Sequence, residues 1–515
     1  MSNKKSGIYL AVPILVIIIG FYVYSTRQHH KNLYTSGQKE DASVSRSGRS
    51  RFGSSSKLAD IPMSRFDHAD TLRKAQSDEL VAEVRKVLDQ NGMFADVFAE
   101  EKDKNKRARN EETNIAVTLH ELFSDYYTLK EIPPNTDEED LQMLLKQHWE
   151  SSDLYKLWEA SPDASNGWDI NKQTLAKINT ALGSAALAHL ESIRQTLRRK
   201  LKASGTHFSY IFVYSDSYKS SRSVGTVMNT EASKYLGDYA LLEEYAIARS
   251  LQEGKIDEAI ETLDYIFRIA YLASILEVVG VRSDAAIVRL QAFEIMQRVI
   301  LDPKFEKKHL IGLRDMLSQQ YDNWTPEYLT WFGDRASGIA FYHRIMADGM
   351  ENIFPQEDIA RLENRWGSQW NDKFWRGFKK YGEADEVFYL RSMQKILDIC
   401  DKPFAQRRNV LTQISADLRR SEDVHDADGM LEEYVVANIL LKDVDRLMRL
   451  FVQDESALHR ALTAMLISLG QTNTDKYCDP FTGKPFAVQK ADGFVSIAAE
   501  PFPRPFRVPN FTNKE

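Results

Sequence analysis

The stretch LLEEYAIARSLQEGKIDEAIETLDYIFRIAYL, residues 241–272, contains two apolar helical faces separated by one glycine, Gly254. After Gly254, apolar residues recur every three or four positions, a spacing that is typical of an amphipathic helix. They are Ile256, Ala259, Ile260, Leu263 and Phe267. The stretch therefore predicts a helical hairpin.

The turn of this hairpin resembles that of a tetratricopeptide repeat, in which a small residue lets the second helix approach the first closely. Here Ala259 follows Gly254 by five positions. No 34-residue period continues on either side. Further amphipathic patterns precede and follow the hairpin, so the sequence predicts a mainly α fold: an irregular array of tetratricopeptide-like helical hairpins. A long helical pattern at residues 430–452 belongs to this array.

Composition is that of a folded protein. The chain has 515 residues, of which 43% are hydrophobic and 27% charged, close to globular averages. The 67 basic and 74 acidic residues leave a formal charge of −7. This near balance disfavours a nucleic-acid partner, since nucleic-acid binding usually needs a basic surface.

The N-terminal segment GIYLAVPILVIIIGFYVY, residues 7–24, carries no charge. As a helix it would span roughly 27 Å, enough to cross a bilayer core. We therefore predict one uncleaved transmembrane helix, with a cleaved signal peptide as the alternative. Basic residues flank the segment almost equally, so charge does not decide which side of the membrane the body faces. The prediction rests instead on the short N-terminal tail and the large C-terminal body. An exported body is the expectation, and a body facing the cytoplasm is the alternative.

The end of the chain changes character from helical to extended. Phe486 and Val488 alternate on one predicted arm and Phe494 opens the other, with Asp492-Gly493 as the turn between them. We predict a short C-terminal β-hairpin that lays its apolar face on the last helices. The Pro- and Phe-rich tail after it either packs on the protein, is disordered, or binds a groove of a partner.

These patterns divide the chain into eight predicted segments. In order they are a short tail (1–6), the membrane anchor (7–24), a flexible Ser-, Gly- and Arg-containing linker (25–60), a first helical block (61–205), a linking segment (206–235), a second helical array (236–470), the β-hairpin (471–499) and the Pro/Phe-rich tail (500–515).

The anchor, the hairpin sequence ARSLQEGKIDEAIETLDYIFRIAYLAS, the later GDRASGIAFY and the terminal DPFTGKPF and DGF together resemble an uncharacterised family of membrane-anchored, helical bacterial envelope proteins. The resemblance covers residues 236–497. It implies a single-pass protein of the bacterial inner membrane, with a periplasmic or extracytoplasmic body and no established activity. The link QTNTDKYC after Gly470 is shorter than in that family.

Motifs of catalysis and cofactor binding are not found in the sequence. His120-Glu121 lacks the second histidine that a zinc-binding helix needs, and TGKPF lacks the residues of a phosphate loop. The adjacent acids Glu243–Glu244 and Glu432–Glu433 diverge around their helices, so we expect them to be ordinary exposed acids. No catalytic, cofactor-binding or metal-binding residue is predicted, and no cofactor.

Two sets of residues are candidates for other roles. Trp366, Trp370 and Phe374 recur every four residues and form either a binding surface or part of the helical core. Cys400 and Cys478, the two cysteines of the chain, either form a disulfide or are two unrelated thiols.

The sequence thus predicts a membrane-anchored, non-catalytic helical scaffold that binds another envelope protein. The alternative is an envelope hydrolase or glycan-binding protein that uses an acid in an aromatic groove between Trp324 and Trp375. A carboxylate with a raised pKa in a deep pocket would favour the enzyme, and a filled aromatic cluster would favour the scaffold.

Overall fold

The computed structural model describes residues 114–127, 138–160, 172–203, 206, 231–274, 279–348, 370–422 and 435–512. Within these ranges the chain is mostly helical, as the sequence predicts. The helices are α1 (Ile115–Tyr127), α2 (Glu138–Ser151), α3 (Asp153–Ala160), α4 (Lys172–Lys202), α5 (Glu231–Gln252), α6 (Ile256–Ser274), α7 (Val279–Leu301), α8 (Lys307–Asp322), α9 (Glu327–Asp348), α10 (Trp370–Leu397), α11 (Phe404–Glu422), α12 (Val435–Leu441) and α13 (Val444–Ser468). The strands are β1 (Val488–Ala491), β2 (Phe494–Ile497) and β3 (Phe506–Pro509).

The helical hairpin predicted around Gly254 is confirmed by α5 and α6, which pack against each other along their lengths. Gly254 adopts a φ of +70°, a conformation that glycine reaches without steric cost. Its N–H donates to the carbonyl of Leu251 (3.0 Å), and the N–H of Lys255 donates to that of Ser250 (2.8 Å), which satisfies the last carbonyls of α5. Ala259 is completely buried at the close approach of the helices.

Helix α7 returns across this hairpin and is the structural centre of the molecule. It packs on α5 and α6 on one side and on α13 and the terminal sheet on the other. It is buried on nearly every face, and an all-round buried helix is expected to carry its few polar groups in specific pairs.

Two hydrophobic cores result. The first core is built from α1, α3 to α8, the C-terminal half of α13 and the sheet. The second core is built from α9 to α12 and the N-terminal half of α13, with Val279 and Ala286 of α7 and Phe481 also contributing. Only α7 and α13, among the described helices, supply buried apolar residues to both cores. The two helices therefore join the cores.

Two helical patterns of the sequence are interrupted in the structure. Gly183 has a φ of +73°, which kinks α4 between its two halves. The pattern at residues 430–452 breaks at Lys442–Asp443, where α12 ends and α13 begins. Asp385 of α10 accepts the backbone N–H groups of Val436 and Ala437 (both 2.8 Å), so α12 is held at its first turn from another helix.

The terminal hairpin is confirmed, but the predicted two-stranded form is incomplete, because the Pro/Phe-rich tail adds a third strand. β1 pairs with β2 and β2 with β3, both antiparallel. Asp492 and Gly493 have positive φ values of 52° and 76°, as a two-residue turn between twisted strands requires. Val495, Ile497, Phe506 and Val508 form the buried face of the sheet. The tail thus packs on the protein, one of the outcomes that the sequence left open.

The Asp-Pro-Phe turn before the hairpin ties the terminal segment to both cores. Asp479 accepts hydrogen bonds from the N–H of Phe481 (3.1 Å) and from the hydroxyl of Ser456 on α13 (3.2 Å). The carbonyls of Pro480 and Phe481 accept the N–H groups of Phe404 and Ala405, the first two residues of α11 (both 3.0 Å). The turn therefore satisfies the free donors at the start of a second-core helix.

Several predictions lie outside the described residues. These include the anchor at residues 7–24, the linker at 25–60 and the acids Glu432–Glu433. In the part of the chain that the structure describes, no helix is both long and apolar enough to cross a membrane. Helix α5 begins at Glu231, inside the predicted linking segment.

Candidate functional site: buried ion pairs and a groove

The adjacent acids Glu243 and Glu244 of α5 are buried, with 0% and 1% exposure, so the prediction that they are exposed is wrong. They do diverge around the helix axis, but a different helix faces each of them. Glu243 accepts hydrogen bonds from Arg194 (Nη1, 3.1 Å) and from Arg198 (Nε, 2.8 Å), both on α4. The arginines of the basic end of α4 are therefore held by a buried carboxylate as well as by the helix dipole.

Glu244 faces α7 instead. Its carboxylate accepts hydrogen bonds from Gln291 Nε2 (2.7 Å) and Arg298 Nη1 (3.1 Å). Burial raises the pKa of Glu244 to about 7, and the nearby Arg298 and Gln291 offset only part of that rise. Near neutral pH this acid is therefore divided between its protonated and charged forms.

The deepest ion pair lies where α7 crosses α13. Nε of Arg289 is 3.0 Å from each carboxylate oxygen of Asp454, and Nη2 also donates to Oδ2. The remaining nitrogen, Nη1, donates to the carbonyl of Ala270 (3.2 Å), and the ring of Trp324 lies 4.7 Å from the guanidinium carbon. Both charged side chains are almost fully buried. Bidentate pairing with an aromatic cover is the geometry that makes a buried arginine tolerable.

Two turns earlier on α7, Arg282 fixes the start of α9. Its Nη1 donates to the carbonyl of Pro326 and to Thr330 Oγ1, and Nη2 donates to the carbonyl of Thr325, all at 3.0 Å. Burial lowers the pKa of Arg282. Arg282 therefore holds the two residues that precede α9, because its guanidinium donates to the carbonyls of both.

Trp324 and Trp331 have structural roles. Trp331 is completely buried, and its Nε1 donates to Glu327 Oε1 (2.8 Å), whose other oxygen accepts from Arg407 Nη1 (2.7 Å). Trp324 covers Arg289. Trp366 lies outside the described residues, and so do the side chains of Trp370 and Phe374, although both residues belong to α10. The binding surface predicted for this stripe stays a prediction.

Glu455 is the exception among the acids at the crossing, since it keeps about a third of its side chain exposed. Burial and the neighbouring charge of Glu327 raise its pKa to about 7. Nε2 of His459, one turn along α13, lies 3.8 Å from its carboxylate. Nδ1 of His459 lies 2.8 Å from the carbonyl of Cys478 and must therefore be the donor of that hydrogen bond. Burial lowers the pKa of this imidazole.

Both cysteines are free thiols in the structure. Cys400 is buried, donates to the carbonyl of Leu397 (3.2 Å), and has a pKa raised to about 12, mainly by burial. Cys478 is partly exposed and donates to the carbonyl of Asp475 (3.3 Å). A buried thiol with so high a pKa is a poor nucleophile. Within the described residues, no group of histidine, cysteine and acidic side chains could hold a metal ion.

A groove runs between α3, α4 and α5 in the first core. Four leucines, Leu157, Leu187, Leu190 and Leu242, line it together with Glu191, Arg194, Tyr245 and Arg249. Next to Leu157, Trp158 is 48% exposed and ends a ladder of ring contacts that continues through Tyr155 and Trp149 to Tyr127. This ladder joins residues of separate helices, and the sequence alone does not show which helices meet.

Comparisons of the chain with family models, with curated proteins and with solved structures give no match. The resemblance to anchored envelope proteins therefore stays a prediction that rests on the quoted motifs.

Proposed function

We propose that the protein is a membrane-anchored, non-catalytic helical scaffold of the bacterial cell envelope, which binds another envelope protein through its helical array. The observation that carries the proposal is the α7–α13 crossing, where Arg289 and Asp454 join two helical cores into one continuous body. Stacked helical arrays of this kind present long surfaces to partners, and their own interior is packed.

The use of the buried charges supports the same proposal. Glu243, Glu244 and Asp454 each bind an arginine of another helix, and Asp385 binds the first turn of α12. These four carboxylates therefore stabilise contacts between helices. A carboxylate that performs acid or base chemistry must instead reach a substrate.

The alternative function, a hydrolase or glycan-binding protein, has one observation in its favour. Glu455 is partly exposed, has a pKa raised to about 7, and lies near the aromatic rings of Tyr321 and Tyr477 that flank His459. A general acid needs a pKa near the working pH. Trp324 and Trp331, however, fill space around buried charges rather than line an open groove.

Crosslinking in the envelope of living cells tests the proposal. The tagged full-length protein is crosslinked in its host and purified, and the attached proteins are identified by mass spectrometry. A variant that lacks residues 1–34 is the matched control for the anchor. We expect one reproducible envelope protein, recovered from the full-length chain and lost or reduced without the anchor.

Recovery of no protein from the full-length chain, together with a retained glycan or small molecule, would contradict the scaffold. In that case Glu455→Gln, which removes the titratable group and keeps its shape, becomes the test of the alternative function.

A further inference from the structure

We propose that the groove between α3, α4 and α5 binds a segment of the partner protein that carries both leucine-like and acidic side chains. This inference rests on the scaffold function and specifies where the partner binds and what its chemistry is. It is carried by the lining of the groove, by one unpaired guanidinium and by the adjacent aromatic ladder.

The apolar part of the groove lining comes from three helices. Leu157 belongs to α3, Leu187 and Leu190 to α4, and Leu242 to α5. Leu187 is only partly buried, so some of its surface faces the groove opening. Tyr245 forms part of the rim, and its hydroxyl donates to Asn179 Oδ1 (2.5 Å), which holds the ring in place. Apolar side chains of a ligand would replace water on these leucines.

The charges around the groove do not balance. Glu191 and Glu243 face three arginines, Arg194, Arg198 and Arg249. The first two arginines donate to the two carboxylates. The side chain of Arg249 is exposed, lines the groove, and makes no hydrogen bond or ion pair with any described residue. It acts on Glu191 and Glu253 only through space, and Glu253 is itself paired with Lys255. The groove therefore has one positive charge in excess, which a carboxylate of the ligand would neutralise.

The aromatic ladder extends this surface beyond the groove. Tyr127 and Trp149 stack at 4.7 Å between ring centres, Trp149 and Tyr155 are 5.8 Å apart, and Tyr155 and Trp158 are 5.7 Å apart. The hydroxyl of Tyr127 donates a hydrogen bond to Asp238 Oδ2 (2.8 Å), which fixes the ring. A half-exposed tryptophan on a fixed support is a frequent anchor of protein interfaces, because it buries a large area with little loss of side-chain freedom.

A second copy of the chain and a neutral glycan fit less well. A two-fold contact between identical grooves would place Arg249 of each copy in a surface with the same excess charge. A neutral sugar could stack on Trp158 but would leave Arg249 without a counter-ion. A segment with both leucines and carboxylates satisfies the two parts of the surface together.

The test uses a fluorescein-labelled synthetic peptide of alternating leucine and glutamate, flanked by glycines, and full-length protein in detergent micelles. Fluorescence anisotropy measures binding. The matched peptide carries glutamine in place of glutamate. We expect a dissociation constant on the order of hundreds of micromolar for the acidic peptide and weaker binding of the glutamine peptide.

Variants locate the binding. Arg249→Gln should weaken the acidic peptide by about twofold to fivefold and leave the glutamine peptide unchanged. Leu187→Ala should weaken both peptides by about fivefold. Arg268→Gln is the matched control, since Arg268 is an exposed arginine of α6 that pairs with Asp264 away from the groove. It should change neither affinity.

Equal binding of both peptides, or equal affinity of Arg249→Gln and the unsubstituted protein, would overturn the assignment. So would concentration-dependent dimers that Arg249→Gln weakens, because they would assign the groove to a second copy.

The two proposals can be refuted separately. A crosslinked partner that is still recovered with Arg249→Gln and Leu187→Ala refutes the groove alone, whereas recovery of no partner from the unsubstituted chain refutes the scaffold.

Discussion

Two pairs of adjacent acids, Glu243–Glu244 on α5 and Asp454–Glu455 on α13, meet different surroundings. In the first pair both acids are buried, and each binds an arginine of a different helix. In the second pair Asp454 is buried against Arg289, whereas Glu455 is a third exposed and has only His459 of its own helix within 4 Å among the described charged groups. The role of an acid in this array therefore depends on which helix lies opposite.

Helix α7 accounts for much of the difference between the partners of these acids. It supplies Arg298 and Gln291 to Glu244 and Arg289 to Asp454, so one helix serves both pairs. Glu243 faces α4, and no arginine of α7 reaches Glu455 within ion-pair distance. We therefore expect the loss of stability on substitution of each of the four acids to depend on which partner the substitution leaves unpaired.

The largest effect is expected for Asp454→Ala. It leaves the Arg289 guanidinium buried with only one carbonyl partner, which should lower the free energy of unfolding by about 3–5 kcal/mol. Urea denaturation followed by circular dichroism measures the change. Glu258→Ala, which removes an exposed acid at 3.7 Å from Lys255, is the control and should cost less than about 1 kcal/mol. A loss of under 1 kcal/mol for Asp454→Ala would contradict the importance of the crossing.

Glu243→Gln is expected to rank second. The amide keeps one acceptor oxygen but presents a donor to Arg194 or Arg198, so about 2–3 kcal/mol of stability should be lost. The same denaturation experiment measures it. If Glu243→Gln were harmless while Glu244→Gln was strongly destabilising at pH 8, the assignment of the two acids would be reversed.

Glu244 should make stability depend on pH. Its pKa is higher in the folded protein than in the unfolded chain, so the folded state holds the proton more tightly. The contribution of Glu244 to stability is therefore greatest below about pH 4.5 and is lost as the pH rises from about 4.5 through about 7. Between pH 6.5 and 8 this carboxyl should account for a loss of about 1 kcal/mol. His459 has the opposite effect in this range, because burial lowers its pKa from the usual 6.5 and its contribution to stability therefore rises with pH. Comparison with Glu244→Gln cancels this contribution, since both proteins contain His459.

Thermal and urea denaturation at pH 6.5 and pH 8 measure this dependence. Glu244→Gln should reduce the difference between the two pH values by about 1 kcal/mol. Glu253→Gln is the control, since Glu253 is exposed and its pKa is lowered by Lys255. A pH dependence that Glu244→Gln leaves unchanged would show that the carboxyl is not the group that titrates.

Glu455→Gln should have the smallest effect. No arginine binds this acid, and solvent reaches a third of it, so the change in the free energy of unfolding should stay below about 1 kcal/mol. A loss of more than 2 kcal/mol, measured by the same denaturation series, would place Glu455 with Asp454 as a structural acid and remove the one observation that favours the alternative function.

Local sequence patterns predicted the local structure well. The period of apolar residues around Gly254 predicts the α5–α6 hairpin, because helix packing repeats every three or four residues. Asp492-Gly493 predicts the turn between β1 and β2, because few other residues accept two successive positive φ values. Both features depend on neighbours in the chain, and both are confirmed.

Features that depend on distant residues were missed. Glu243 binds Arg194 and Arg198, which lie 49 and 45 residues earlier in the chain. Strand β3 pairs with β2 after a loop that is rich in proline. A partial signal existed for the acid, since Arg194 and Arg198 are four residues apart and so share one face of an apolar helix. Nothing in the sequence, however, shows which helix that face meets.

We expect the α7–α13 crossing to make the two cores one cooperative body. Hydrogen exchange of the full-length protein at increasing urea, read by mass spectrometry, tests it through peptides from α6 in the first core and α11 in the second. We predict that the slowest amides of both helices open with one common free energy, and that Asp454→Ala separates them into two values. If α6 and α11 already opened with clearly different free energies in the unsubstituted protein, the two cores would unfold independently, and the crossing would not couple them.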